Sequence, residues 1–109
     1  MRKVFFCASL LCLLSLGIAA QDTYTNPIID RSLPDPSVIR DADGTYWLYA
    51  TEDIHNVPIY KSTDLVEWTY VGTAFTDATR PQMVPGGGIW APDISYVNGR
   101  WLLYYSKST

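Results

Sequence analysis

Pro34-Asp35-Pro36-Ser37-Val38-Ile39, followed after a turn by Gly44-Thr45-Tyr46-Trp47-Leu48-Tyr49, decides the fold because it occurs twice. The second copy is Pro92-Asp93-Ile94-Ser95-Tyr96-Val97, then a shorter turn and Gly99-Arg100-Trp101-Leu102-Leu103-Tyr104. The two aspartates stand 58 positions apart and the two glycines 55, so the copies differ only by three residues of turn. Each copy reads as a hairpin of short antiparallel strands. A repeat of this size and make-up predicts one propeller blade per unit. One blade cannot bury both of its faces, so blades stack radially, usually about 4 to 8 to a ring.

Between the copies the pattern stays that of strand and turn. Ser37 to Arg40 is a first strand, Asp41-Ala42-Asp43-Gly44 a turn, and Thr45 to Thr51 a second strand rich in aromatic residues. Val57 to Ser62 and Trp68 to Phe75 predict two more, joined by Thr63-Asp64-Leu65-Val66-Glu67. In that connection Ser62 and Asp64 read as turn caps, with Leu65 and Trp68 packing the outside of the blade. Thr79 to Gly88 holds two prolines and three glycines in ten residues and predicts a loop. Apolar residues nowhere follow helical spacing over three turns, so no helix is predicted after the N-terminal segment. With about 55 to 60 residues per unit, the chain holds one complete blade, Pro34 to Gly88, and the opening hairpin of a second. That is too little to close a ring, and the chain reads as the N-terminal part of a longer protein.

Upstream, Met1, Arg2 and Lys3 precede an apolar run of 13 from Val4 to Leu16, and the small residues Gly17 to Ala20 follow. This is the pattern of a signal peptide over residues 1–20, which predicts a secreted or periplasmic protein. The run is shorter than the roughly 18 apolar residues of a membrane span. Residues 21–33 are then a lead-in, and residues 34–109 the truncated propeller domain.

Without residues 1–20 the chain keeps six basic groups against eleven acidic ones, a formal charge of −5. Nucleic-acid binders carry the opposite sign. Cys7 and Cys12 both lie in the leader, which leaves no disulfide, Cys-ligated zinc site or thiol nucleophile. All four Trp, all eight Tyr and Phe75 remain. An acidic, aromatic-rich protein of this kind suits a neutral, hydroxyl-rich ligand better than a polyanion.

Two constellations carry possible chemistry. In Leu33-Pro34-Asp35-Pro36-Ser37 a carboxylate stands between prolines, and Pro36 is expected to push Asp35 into extended geometry. At the start of an innermost strand such an aspartate would face the central channel; the other reading is a turn aspartate that accepts backbone N–H groups. In Gly86-Gly87-Gly88-Ile89-Trp90-Ala91-Pro92-Asp93 the glycines let the backbone pass close to something bulky, and Trp90 offers a flat face on which sugar rings stack. A Trp packed between blades and an Asp tying a turn would give the same sequence. His55, alone in its loop, reads as a solvated residue and not a metal ligand.

Asn26-Pro27-Ile28, then Pro34-Asp35-Pro36-Ser37-Val38, Asp43-Gly44-Thr45-Tyr46-Trp47-Leu48-Tyr49, Ser62-Thr63-Asp64-Leu65 with Trp68, and Trp90-Ala91-Pro92-Asp93-Ile94 with Tyr104-Tyr105-Ser106 resemble, in order, the N-terminal third of glycoside hydrolase family 43. The resemblance implies a five-bladed β-propeller that hydrolyses arabinose- or xylose-containing plant polysaccharides with inversion. It implies that Asp35 is the general base and that Trp90 and Asp93 border the sugar subsites. The Glu general acid and the Asp that tunes it belong to later blades, so the chain by itself is expected to be inactive. Tyr104-Tyr105-Ser106 with Lys107-Ser108-Thr109 is closest to the arabinanase and arabinofuranosidase members. Some relatives hold calcium near the channel, but no residue here is assigned to it, and no other cofactor is implied. The competing reading is a non-catalytic carbohydrate-binding propeller or degenerate paralogue, which would not need a fixed carboxylate at Asp35.

Overall fold

The computed structural model describes residues 23–109, and the leader expected over residues 1–20 lies outside them. The described residues form six strands and no helix: β1 (Ser37–Arg40), β2 (Tyr46–Tyr49), β3 (Pro58–Ser62), β4 (Thr69–Thr73), β5 (Gly88–Val97) and β6 (Arg100–Ser108). β1 to β4 make one antiparallel sheet in sequence order, and β5 pairs with β6 in a second. This is the four-stranded unit and following hairpin that the repeat predicts. Among the described residues there is thus no helix long and apolar enough to cross a membrane.

The turns explain why the two hairpins differ in length. Asp41 closes the first: its Oδ1 accepts the N–H groups of Asp43 (3.0 Å) and Thr45 (2.9 Å), and its Oδ2 accepts the Trp47 indole N–H (2.8 Å). These donors, the indole foremost, hold the Asp41 carboxyl below its ordinary range. In the second hairpin Asn98 (φ +50°) and Gly99 (φ +78°) alone join Val97 to Arg100. Two left-handed residues in a two-residue loop match the strands' own twist, and Asn-Gly suits that turn.

Two boundaries and one packing contact depart from the sequence reading. β2 is shorter than Thr45 to Thr51, because the Thr51 N–H turns to the Pro34 carbonyl (2.9 Å) while Ala50 and Thr51 bury. β5 begins earlier, at Gly88, and runs ten residues. It does so by a bulge: Trp90 faces Ser106 and Asp93 faces Tyr104, with Ala91 (φ +43°) and Pro92 in between. A proline is tolerated where the ladder is already interrupted. In the β3–β4 connection Ser62 and Asp64 cap the turn as read, with Asp64 Oδ1 accepting the N–H groups of Val66 (2.9 Å) and Glu67 (2.8 Å). Leu65, however, does not pack; it sits at φ +68° and is exposed. Only Trp68 turns inward, onto Leu48, Ala50 and Tyr60, where Ile29 and Leu33 from the lead-in also pack.

β5 runs beside β1, and polar groups hold the seam. Glu52 is its hub. Its carboxylate accepts both terminal nitrogens of Arg80, the Ile89 N–H (2.6 Å) and the Asn56 N–H (2.9 Å). Arg80 also donates to Asn56 Oδ1 (3.0 Å) and to the Gly87 carbonyl (3.0 Å), which in turn accepts Lys107 Nζ. The Glu52 and Arg80 side chains are 8% and 14% exposed. A charge so enclosed is tolerable only when paired and hydrogen-bonded. Arg80 first, then the two backbone N–H groups, pull the Glu52 carboxyl down to about 2. Gly87 is needed where Arg80 and Lys107 converge, since a Cβ there would lie 2.5 Å from the Ser108 carbonyl oxygen.

Replacing Glu52 by Gln is expected to lower the unfolding free energy at pH 7 by about 3 kcal/mol, because Arg80 loses its partner. The folded carboxyl titrates at about 2 and the free one at 4.5, so this stabilisation is whole above pH 4.5 and is lost as pH falls through 2. Urea unfolding of both proteins should therefore give a gap that closes between pH 5 and about 2; a gap independent of pH would contradict the ion pair. Gly87→Ala is expected to lower stability by about 1–3 kcal/mol through overpacking against the β6 backbone. Gly88→Ala should cost less, because its Cβ meets the Trp90 ring, which can swing aside, and a shift in tryptophan emission would report that movement.

Candidate active site

The register of the first hairpin builds the site. Ser37 pairs with Tyr49, and two residues further out the same register sets Asp35 opposite Thr51. The Thr51 hydroxyl donates to Asp35 Oδ2 (2.7 Å), and the Thr51 N–H binds the carbonyl of Pro34 (2.9 Å). Thr51 Oγ1 also accepts the N–H of Ala91 (2.7 Å), beside Trp90 on β5. A threonine 2% exposed thus links the start of β1 to the bulge of β5.

Asp35 itself does not take the extended geometry expected of a residue before proline. Its φ is +49°, in the left-handed region. The anchors on either side, Pro34 carbonyl and Asp35 carboxylate, both go to Thr51 and outweigh the preference of the Asp-Pro unit. Aspartate is among the residues that tolerate this region, at a cost of about 1–3 kcal/mol. Its carboxylate is exposed, and among the described residues Oδ1 receives no hydrogen bond.

Asp93 occupies the equivalent place in the second unit with different partners. Its Oδ1 accepts the Ser37 hydroxyl (3.0 Å), and Ser37 Oγ accepts the Ile94 N–H (3.2 Å). Asp93 is therefore a seam residue that keeps an exposed face, and the serine of Pro-Asp-Pro-Ser is its donor. Trp90 is 46% exposed. The bulky group that Gly88 admits is the Trp90 indole itself, with Nε1 2.8 Å from where a Cβ would stand. Gly88 thus seats the tryptophan, which stays half exposed.

A concavity of about 250 Å³ lined by Asp41, Trp47, Tyr49 and Trp101 opens between the hairpins at the other end of β1, away from Asp35. His55 stands in its loop, its side chain 65% exposed, with Nε2 3.2 Å from Asp77 Oδ1. Three contributors are invisible in a motif reading: Thr51 as partner of Asp35, Ser37 as partner of Asp93, and the Glu52–Arg80 pair. Hairpin register would have found the first, since the turn at Asp41 to Gly44 already aligns Thr51 with Asp35. The others cross the seam and have no local signal.

The arrangement offers a held carboxylate with one free oxygen, an open indole face and a second carboxylate across one seam. The family model of glycosyl hydrolases family 43 matches residues 24–109. Arabinan endo-1,5-alpha-L-arabinosidase A of Aspergillus niger is 40% identical over 78 residues, covering 69% of this chain and 23% of that protein. The beta-xylosidase of Bacillus subtilis is 36% identical over 85 residues, 73% of this chain and 16% of that protein. Among solved structures, the GH43 endo-arabinanase from Bacillus licheniformis superposes with a TM-score of 0.61 at 36% identity, over 73% of this chain and 29% of that one. The chain spans under a quarter of the length of these two curated relatives. With the family model matching nearly all the described residues, the chain belongs to glycosyl hydrolases family 43.

Proposed function

We propose that this chain is the front part of a secreted, inverting O-glycosyl hydrolase that cleaves arabinose- or xylose-containing plant polysaccharides, with Asp35 as its general base. The observation that carries the reading is the Asp35 carboxylate: Thr51 holds one oxygen and the other is free to take a proton. An inverting enzyme places its base roughly 6.5–9.5 Å from the acid, so that a water between them attacks the anomeric carbon from the far side. A base has to be ionised, whereas the acid must keep its proton. Asp35 fills the first role; the acid, a glutamate, belongs to sequence outside this chain, in a five-bladed ring of which β1 to β6 are the opening strands. Trp90, half exposed beside the bulge, is the sugar-stacking surface, and the exposed Asp93 borders the sugar subsites. That the relatives are an arabinan endo-1,5-alpha-L-arabinosidase and a beta-xylosidase supports arabinan or xylan as the substrate class. The leader pattern over residues 1–20 supports export.

In the longer protein, Asp35→Asn is expected to lower kcat on arabinan or arabinoxylan by about 10²- to 10⁴-fold with the circular dichroism unchanged. Near-normal turnover in that variant would rule Asp35 out as the base. The 109-residue chain made alone should release no arabinose or xylose, and detectable release would show that it carries its own acid.

A further inference from the structure

Thr51 has no place in the motifs that mark the family in this chain, yet it touches three groups of the site. Its N–H holds the Pro34 carbonyl (2.9 Å), its hydroxyl donates to Asp35 Oδ2 (2.7 Å), and the same oxygen accepts the Ala91 N–H (2.7 Å). A hydroxyl has one proton. Ala91 N–H can only donate, so Thr51 Oγ1 must accept there, and its single proton is left for Asp35. The direction of the chain is thereby fixed: Ala91 N–H to Thr51 Oγ1–H to Asp35 Oδ2.

We propose that Thr51 is a positioning residue for the general base, which occupies Oδ2 of Asp35 and so commits Oδ1 to receive the proton of the attacking water. The inference rests on the reading of Asp35 as base. In the step, a water O–H bond breaks and its proton passes to Oδ1. The water oxygen bonds to the anomeric carbon, the glycosidic C–O bond breaks, and the leaving oxygen takes a proton from the acid. Thr51 exchanges no proton; it sets which carboxylate oxygen faces the water and at what angle. Its link to Ala91 also couples that angle to the strand bearing Trp90, so the base and the sugar platform are held by one hydroxyl.

The repeat serves as an internal control. By the same alignment Thr51 corresponds to Ser106, which is exposed and pairs with Trp90, while Asp93, the counterpart of Asp35, faces Tyr104. The second hairpin forms without a buried hydroxyl at that place. The hairpin itself therefore does not demand a buried hydroxyl there, and the interaction is confined to the unit that carries the free carboxylate. Asp35 also sits at φ +49°, whereas Asp93 does not share that conformation, so the strain and its anchor occur together.

The test is made in the longer, active protein with Thr51→Val, Thr51→Ser and Asp35→Asn. Thr51→Val keeps the shape and removes the hydroxyl; it is expected to lower kcat about 10- to 100-fold with KM changed less than about threefold. Thr51→Ser should recover most of the loss, which a role in filling space would not do, since serine fills less than valine. Wild-type kcat in a folded Thr51→Val protein, with Asp35→Asn inactive, overturns the positioning role and leaves the base assignment intact. An active Asp35→Asn protein overturns the base assignment instead. Should Thr51→Val not fold, the wild-type protein still decides. Its Thr51 hydroxyl proton should be visible by NMR, slow to exchange and close to the Ala91 amide, and a freely exchanging hydroxyl would overturn the inference.

Discussion

One carboxylate, that of Glu52, carries the join between the two sheets. A seam between antiparallel sheets is ordinarily a matter of apolar side chains, yet few large ones are enclosed here: the largest fully buried side chains among the described residues are Ile89, Val57, Thr51 and Pro58. Glu52 compensates by gathering donors from three separate segments, the loop it belongs to, the loop of Arg80 and the first residues of β5. Removing charge from water is costly, and only the completeness of the pairing makes it bearable. Once Ile89 is fixed by that carboxylate, Ala91 falls within reach of Thr51 and Ile94 within reach of Ser37. The geometry around Asp35 and Asp93 follows from it.

The site is accordingly a property of the seam and not of either sheet. Asp35 is exposed, and its backbone lies in a region that few residues enter. Neither fact would hold it still. Rigidity comes from Thr51, buried and bonded on both sides, and through Thr51 from β5. This is how an exposed carboxylate can be precise: its own surroundings are open, while the group that aims it is enclosed.

Most of the fold was legible in the sequence because its signals are local. The repeat of Pro34 to Tyr49 at Pro92 to Tyr104, the alternation within each strand and the turn residues at Asp41, Ser62 and Asp64 are written within a few positions of one another. Boundaries slipped where a longer-range partner intervened. Thr51 left the strand pattern to bind Pro34, and Gly88 joined β5 because Ser108 pairs with it. At the site, Asp35, Trp90 and Asp93 stood out by motif, but the conformation of Asp35 did not. The rule for a residue before proline is correct for an isolated dipeptide, and a hydroxyl sixteen positions away overrode it. Arg80 falls in the loop predicted over Thr79 to Gly88, and nothing in a stretch rich in proline and glycine says that its arginine will be enclosed against Glu52.

The bulge at Ala91 and Pro92 acts as a change of phase within a single strand. Side chains of a strand alternate, so residues three apart belong on opposite faces. Trp90 and Asp93 are three apart, yet both are exposed, while Ile89 and Ile94 on either side are buried. The extra residue turns an odd spacing into an even one. β5 can thus expose an aromatic ring and a carboxylate three residues apart and still bury an isoleucine on either side of them. The cost is one irregular step, taken at a proline that could not have paired there anyway. A strand of perfect regularity would have had to give up one of those exposed groups or one of the buried isoleucines.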